Sequence, residues 1–198
     1  MKKVFLFFMA SLALFFVTSC DKAMNALTEP DGYKFSTKAG LDEILSDMSS
    51  KCDTTKFHIT GFFMSEDEEY SGTSILYTVY IVDESESGYK QSFFHNGNVG
   101  DMDTNNSIRR AGWDSEYIHP GSYDTGSLVK ALDEIKAMTP EGYTFKSVSW
   151  LDVRPDNIDV TVRMTKDGEE TISNGGKTQE VYYEANYDIN PKNWTIKD

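Results

Sequence analysis

The chain has 198 residues, 39% of them apolar and 26% charged, and its 32 acidic residues outnumber 19 basic ones to leave a net charge of −13. That balance speaks against a surface built to grip nucleic-acid phosphates, which needs a basic patch. A single apolar run, at the N-terminus, excludes a polytopic helical membrane protein. Aromatics at 13%, with 14 Gly and 5 Pro spread along the chain, argue against disorder and collagen-like repetition and for one folded domain or two small ones.

Met1-Lys2-Lys3 is a short basic start, and Val4 to Val17 is an apolar stretch of 14 residues. A bilayer core of about 30 Å needs about 20 such residues, so this is a signal-peptide core and not a span. Val17-Thr18-Ser19-Cys20 follows it directly. This order of basic start, core and box resembles the type II signal peptide of bacterial lipoproteins. The resemblance implies removal of residues 1–19, a diacylglyceryl group on the Cys20 thiol, and a further fatty-acyl chain of the palmitate type on its amine. Two or three acyl chains hold a protein stably on a membrane. Without Lys2 and Lys3, 17 basic residues face 32 acidic ones, and an acidic body at −15 is repelled by anionic headgroups. The expectation is a lipid-anchored protein of the cell envelope, assigned to the outer membrane with its side left open. Asp21 leaves the inner membrane as an alternative, through a sorting rule of some enteric bacteria. The Cys-Asp-Lys start with an aromatic-rich acidic body resembles lipoproteins of the Bacteroides group.

Residues 20–36 read as the lipidated cysteine and a tether, with a Pro30-Asp31-Gly32 turn signal. Leu41, Ile44, Leu45 and Met48 repeat at i, i+3, i+4, i+7 and predict a helix over 38–50, with Ser36 and Thr37 as available caps. Strands are predicted over 57–64, 74–82 and 89–95, with an acidic turn at Glu66-Asp67-Glu68-Glu69 read as a solvated hairpin tip. Residues 96–125 are rich in Asn, Gly, Asp and Ser and read as loop. Leu128, Leu132 and Ile135 predict a second helix over 126–138, stopped by Pro140. Strands follow over 143–152, over 158–164 in clear alternation, through Val181, Tyr183, Ala185 and Tyr187, and in a short piece at 194–196. Asp167-Gly168 and Asn174-Gly175-Gly176 read as turns.

Leu41-Asp42-Glu43-Ile44 recurs as Leu132-Asp133-Glu134-Ile135, and the helix–strand–strand–strand order recurs with it. The expected fold is therefore α+β: two tandem helix-plus-antiparallel-meander repeats, 37–100 and 124–198, joined by a loop-rich connection 101–123, with the helices on one face of the sheet. The element order resembles the tandem repeats of the β-lactamase-inhibitor-protein fold and of PepSY-like envelope proteins. No binding motif of either matches, so no residue role is carried over. A single cystatin-like or NTF2-like curved sheet is the alternative.

Catalytic signatures are absent from the sequence: no G-x-S-x-G, no P-loop and no H-E-x-x-H occurs. With Cys20 lipidated, Cys52 stands alone and reads as a half-buried residue at a helix end. His58, His95 and His119 lack metal-ligand spacing. Asp101, Asp103 and Asn105 resemble the first half of a calcium loop, but Gly112 stands where a bidentate Glu belongs. Calcium is thus the one cofactor considered, and no other is expected.

The surplus aromatics are more informative. Alternation turns Tyr80 and Tyr182 to the outer sheet face, where a Tyr/Trp surface among acids suits protein or glycan binding. Cross-strand aromatic pairs covering a thin sheet explain the same residues. Arg109-Arg110 with Trp113 is the one basic spot beside an aromatic and a candidate partner anchor. The leading functional reading is a non-catalytic envelope module that binds a protein, glycan or other ligand, with the membrane as its other partner. An acidic-residue hydrolase, which needs a pocket of converging carboxylates, and a structural subunit of a surface or transport assembly, which needs a long free strand edge, are the alternatives.

Overall fold

The computed structural model describes residues 32–67, 71–105, 117–174 and 177–197. Helix α1 spans Lys38–Lys51 and buries Leu41, Ile44, Leu45 and Met48, the stripe set by their spacing. Its first turn is capped by Thr37, whose Oγ1 accepts from the Gly40 backbone N–H at 3.2 Å. Gly40 is required by crowding. A Cβ there would lie 2.2 Å from the Lys34 carbonyl oxygen, because the chain entering the helix doubles back against it. Helix α2 spans Thr125–Ala137 and buries Leu128, Ala131, Leu132 and Ile135. Asp124 caps it, accepting from Ser127 N–H at 2.9 Å. The two helices are tied where Thr125 Oγ1 donates to Asp42 Oδ1 at 2.6 Å.

Ten strands are described: β1 Phe57–Ser65, β2 Leu76–Asp83, β3 Gly88–Phe94, β4 Asp103–Thr104, β5 Tyr143–Val153, β6 Ile158–Lys166, β7 Thr171–Asn174, β8 Lys177–Glu180, β9 Tyr183–Asn190 and β10 Thr195–Lys197. Eight of them form one antiparallel sheet in the order β10-β9-β6-β5-β1-β2-β3-β4, and β7 and β8 pair as a separate hairpin. The fold is α+β. Phe62, Met64, Tyr77, Val79, Leu151, Val153, Val160 and Val162 point to one face of the sheet, and the buried residues of both helices join them in a single core cluster. Strand alternation leaves the opposite face to Phe63, Tyr80, Trp150 and a set of polar and charged residues.

Three features differ from the sequence reading. Tyr33 and Phe35, assigned to the tether, are buried. Tyr33 exchanges backbone hydrogen bonds with Ser74 at 2.7 and 3.0 Å, which makes the segment part of the folded body. The described parts of the connection 96–125, residues 96–105 and 117–125, are more ordered than their composition suggests. They carry β4 and a 3-10 turn at Pro120–Ser122, and Ile118 is buried and bonds to Ile59 O at 2.9 Å. The acidic turn is not simply a solvated tip: the Glu66 side chain is 1% exposed and pairs with Arg163 at 2.5 Å.

Among the described residues no helix is long and apolar enough to cross a membrane. The signal segment, Cys20 and most of the tether lie outside the described residues, as do Arg109, Arg110 and Trp113.

Candidate functional site

The outer face of the sheet gathers the most unusual chemistry. On β1, consecutive Phe62 and Phe63 fall on opposite faces, so one enters the core and the other does not. On β2, Val79 is buried and Tyr80 turns outward; on β5, Leu151 is buried and Trp150 turns outward. Phe63 stands opposite Asp152 and Thr78, Tyr80 opposite Gly61, and Trp150 opposite Ser65. Each ring is therefore one diagonal step from the next, within reach of aromatic side chains. The rings stack: Phe63 on Tyr80 at 5.8 Å and 25°, and Phe63 on Trp150 at 5.0 Å and 22°.

Arg154 closes one end of this row. Its side chain leaves the end of β5 and crosses Gly61, where a Cβ would lie 2.6 Å from its Cδ. The guanidinium carbon sits 3.9 Å from the Tyr80 ring centroid. Asp152 holds it in a fork, Nε donating to Oδ1 at 2.8 Å and Nη2 to Oδ2 at 3.2 Å. The row then reads Arg154, Tyr80, Phe63, Trp150. At its other end Trp150 stands opposite Thr161 of β6, a short side chain whose hydroxyl donates to Asn186 at 2.8 Å. Trp150 keeps 38% of its surface exposed.

A second group flanks the first. Arg163 on β6 lies 4.6 Å from the Tyr182 ring centroid and pairs with buried Glu66 at 2.5 Å and with Glu184 at 3.1 Å. Next to Trp150, three carboxylates stand in one cross-strand row: Asp152 opposite Asp159, and Asp159 opposite Asp188. Like charges in that position repel. Partial burial of its carboxyl, then the Asp188 carboxyl bonded to it and Asp152 across the ladder, raise Asp159 above the ordinary carboxylate range; Arg154 acts the other way.

Of the residues proposed from sequence, Tyr80 and Tyr182 are on this face, each beneath a guanidinium. Asp101, Asp103 and Asn105 are elsewhere, on and beside β4 at the sheet edge, with Asp103 opposite Lys90 and Asn105 N–H bonded to Gly88 O at 2.8 Å. Among the described residues no group of three His, Cys, Asp or Glu side chains is placed to hold a metal. Phe63, Trp150, Arg154 and Arg163 complete the face. The signals for Phe63 and Trp150 were the Phe62-Phe63 doublet, which must split between faces, and the place of Trp150 beside Leu151, which alternation turns inward; Arg154 and Arg163 carried none.

Two open clefts lie at one end of the sheet. One of about 450 Å³ is lined by Phe57–Ile59 and Tyr117–Ser122, with His58 stacked on Tyr117 at 4.3 Å. The other, of about 230 Å³, is lined by Tyr123, Asp124, Arg154 and Trp194 among others. Neither brings two carboxylates together. The Cys52 thiol is pushed up to about 12 by burial and by Asp47, which makes it a poor nucleophile.

No protein-family model, curated protein or solved structure matches the chain.

Proposed function

We propose that the chain is a cell-envelope lipoprotein, anchored by acyl chains on Cys20 at the outer membrane, whose folded body binds a partner without catalysis. The observation that carries this reading is the outer sheet face, where a stacked aromatic row ending in exposed Trp150 is flanked by two arginine–tyrosine pairs. Exposed aromatics beside well-held arginines are the residue types that dominate binding hot spots. The body is two tandem repeats with both helices on the face opposite this row. In support, β1-β2-β3-β4 run outward from the sheet centre on one side and β5-β6-β9-β10 on the other, each set preceded by one helix. The short end strands, two residues in β4 and three in β10, favour a binding module over a subunit that polymerises through a free edge.

A photo-crosslinking residue placed at exposed Asn186 or Lys90 on the outer face, in the full chain in intact cells, tests the reading. A discrete adduct is expected from these sites and not from exposed Glu134 on α2. Equal labelling from all three sites, or none, refutes docking on this face. Mass analysis of the mature chain should find Cys20 acylated at its N-terminus.

A further inference from the structure

We propose that the occupant of the outer face is an arginine-bearing, cationic segment of a protein partner, whose guanidinium lies over Thr161 between the indole of Trp150 and the Asp159–Asp188 pair. This rests on the docking role argued above and names the partner's chemistry.

The face itself shows the pattern. Twice a guanidinium lies over a tyrosine ring and is held by carboxylates: Arg154 over Tyr80 with Asp152, and Arg163 over Tyr182 with Glu184 and Glu66. A third set has the ring and the carboxylates. Trp150 stands opposite Thr161, and Asp159 is two residues along β6 from Thr161, on the same face, with Asp188 opposite it. Among the described residues no cation lies over Trp150. Arg154, which opposes the repulsion at Asp159, is already forked on Asp152, and Lys197, opposite Asp188 on β10, gives its Nζ to Asn157. The diagonal step of about 7–8 Å between neighbouring strands lets one guanidinium contact the indole face and a carboxylate together.

Other occupants fit less well. A second copy would bring the same acidic face and a chain charge of −13 against this one. An anionic lipid surface or a nucleic acid is repelled for the same reason. A glycan is best held by ring faces laid open, and here the faces of Tyr80 and Phe63 are spent on Arg154, on each other and on Trp150.

The test uses the full lipidated chain in detergent micelles and a capped hexa-arginine peptide, with calorimetry and the Trp150 indole N–H resonance as readouts. Binding should shift that resonance and weaken as salt is raised. W150A and the double variant D159N/D188N should each weaken binding by about threefold to tenfold, the scale of a lost, partly exposed cation–π contact or of two lost charge pairs. D159N/D188N removes repulsion, so it should fold with an undiminished melting temperature. D133N/E134Q, which removes two exposed charges from α2, should leave the affinity unchanged. An equal loss in D133N/E134Q would mean non-specific attraction and overturn the proposal. So would maltohexaose shifting the Trp150 resonance where hexa-arginine does not. If crosslinks form at Asn186 in cells while hexa-arginine binding ignores Asp159 and Asp188, the docking face stands and its cationic occupant falls.

Discussion

Replacing Gly61 with alanine probes how the aromatic row is assembled. The new Cβ would lie 2.6 Å from Arg154 Cδ and 2.9 Å from the Val153 carbonyl oxygen. The arginine can move, at the expense of its seat on Tyr80, worth about 0.5–2 kcal/mol, and of a partly exposed fork on Asp152, worth about 0.5–1 kcal/mol. The carbonyl belongs to the β5 backbone at the β1 junction, and pressing on it adds an overpacking cost of about 1 kcal/mol. The expected loss is therefore about 2–4 kcal/mol. With a urea slope of about 2 kcal/mol/M, the unfolding midpoint should fall by about 1–2 M. R154A alone should cost about 1–3 kcal/mol, by loss of the same stack and fork. The double variant G61A/R154A should cost clearly less than the two single losses added, since only the carbonyl contact remains to be relieved. A loss under about 0.5 kcal/mol in G61A, or strict additivity in the cycle, would refute the crossing of Arg154 over Gly61.

Two further outcomes follow from buried groups. Asp47 accepts from the hydroxyls of Tyr33 and fully buried Tyr77, both at 3.0 Å, and from Lys51 at 2.8 Å. D47A should cost about 2–4 kcal/mol by leaving buried hydroxyls unpaired. Burial of the carboxyl pushes its pKa upward, but the bonds from Lys51, Tyr33 and Tyr77 outweigh it and hold Asp47 below the ordinary carboxylate range. A depressed folded pKa stabilises above the unfolded value near 4, so the gap between wild type and D47A in urea titrations should persist from pH 7 to about 5. It should close as pH falls through the lower folded value; a gap that widens there refutes the network. Cys52, with its thiol pushed up to about 12, should resist aromatic-disulfide titration at pH 8 in the folded chain and react at once in denaturant. One titratable thiol in denaturant agrees with acylation of Cys20, and two exclude it.

Elements with a strong period were legible in the sequence. The α1 stripe Leu41, Ile44, Leu45 and Met48 and the alternation of Ile158, Val160, Val162 and Met164 are each read off directly, because burial on one side imposes the spacing. The β7–β8 hairpin was not, since Thr171–Asn174 and Lys177–Glu180 are almost wholly polar and carry no apolar alternation. Tyr33 and Phe35 form an anchor too short to have a period, and what holds Tyr33 is a partner 41 residues away, Ser74. The site was half legible: Tyr80 followed from alternation on a single strand. The stacking of Phe63 between Tyr80 and Trp150 depends on register among three strands, and the reach of Arg154 depends on Gly61 lacking a side chain on a fourth path across them.

The junction of β1 with β5 is short, Phe62–Ser65 against Trp150–Val153, whereas β5 and β6 pair along their whole length. Most other strand contacts lie within one half of the chain, so this junction is the long-range closure that folding must complete, and loop-closure entropy makes such pairing slow. The stacked pair Phe63–Trp150 and the reach of Arg154 to Tyr80 straddle that line. The side chains of this row are thus also rivets between the halves, and a molecule that gripped them on both sides would tighten the whole body by mass action.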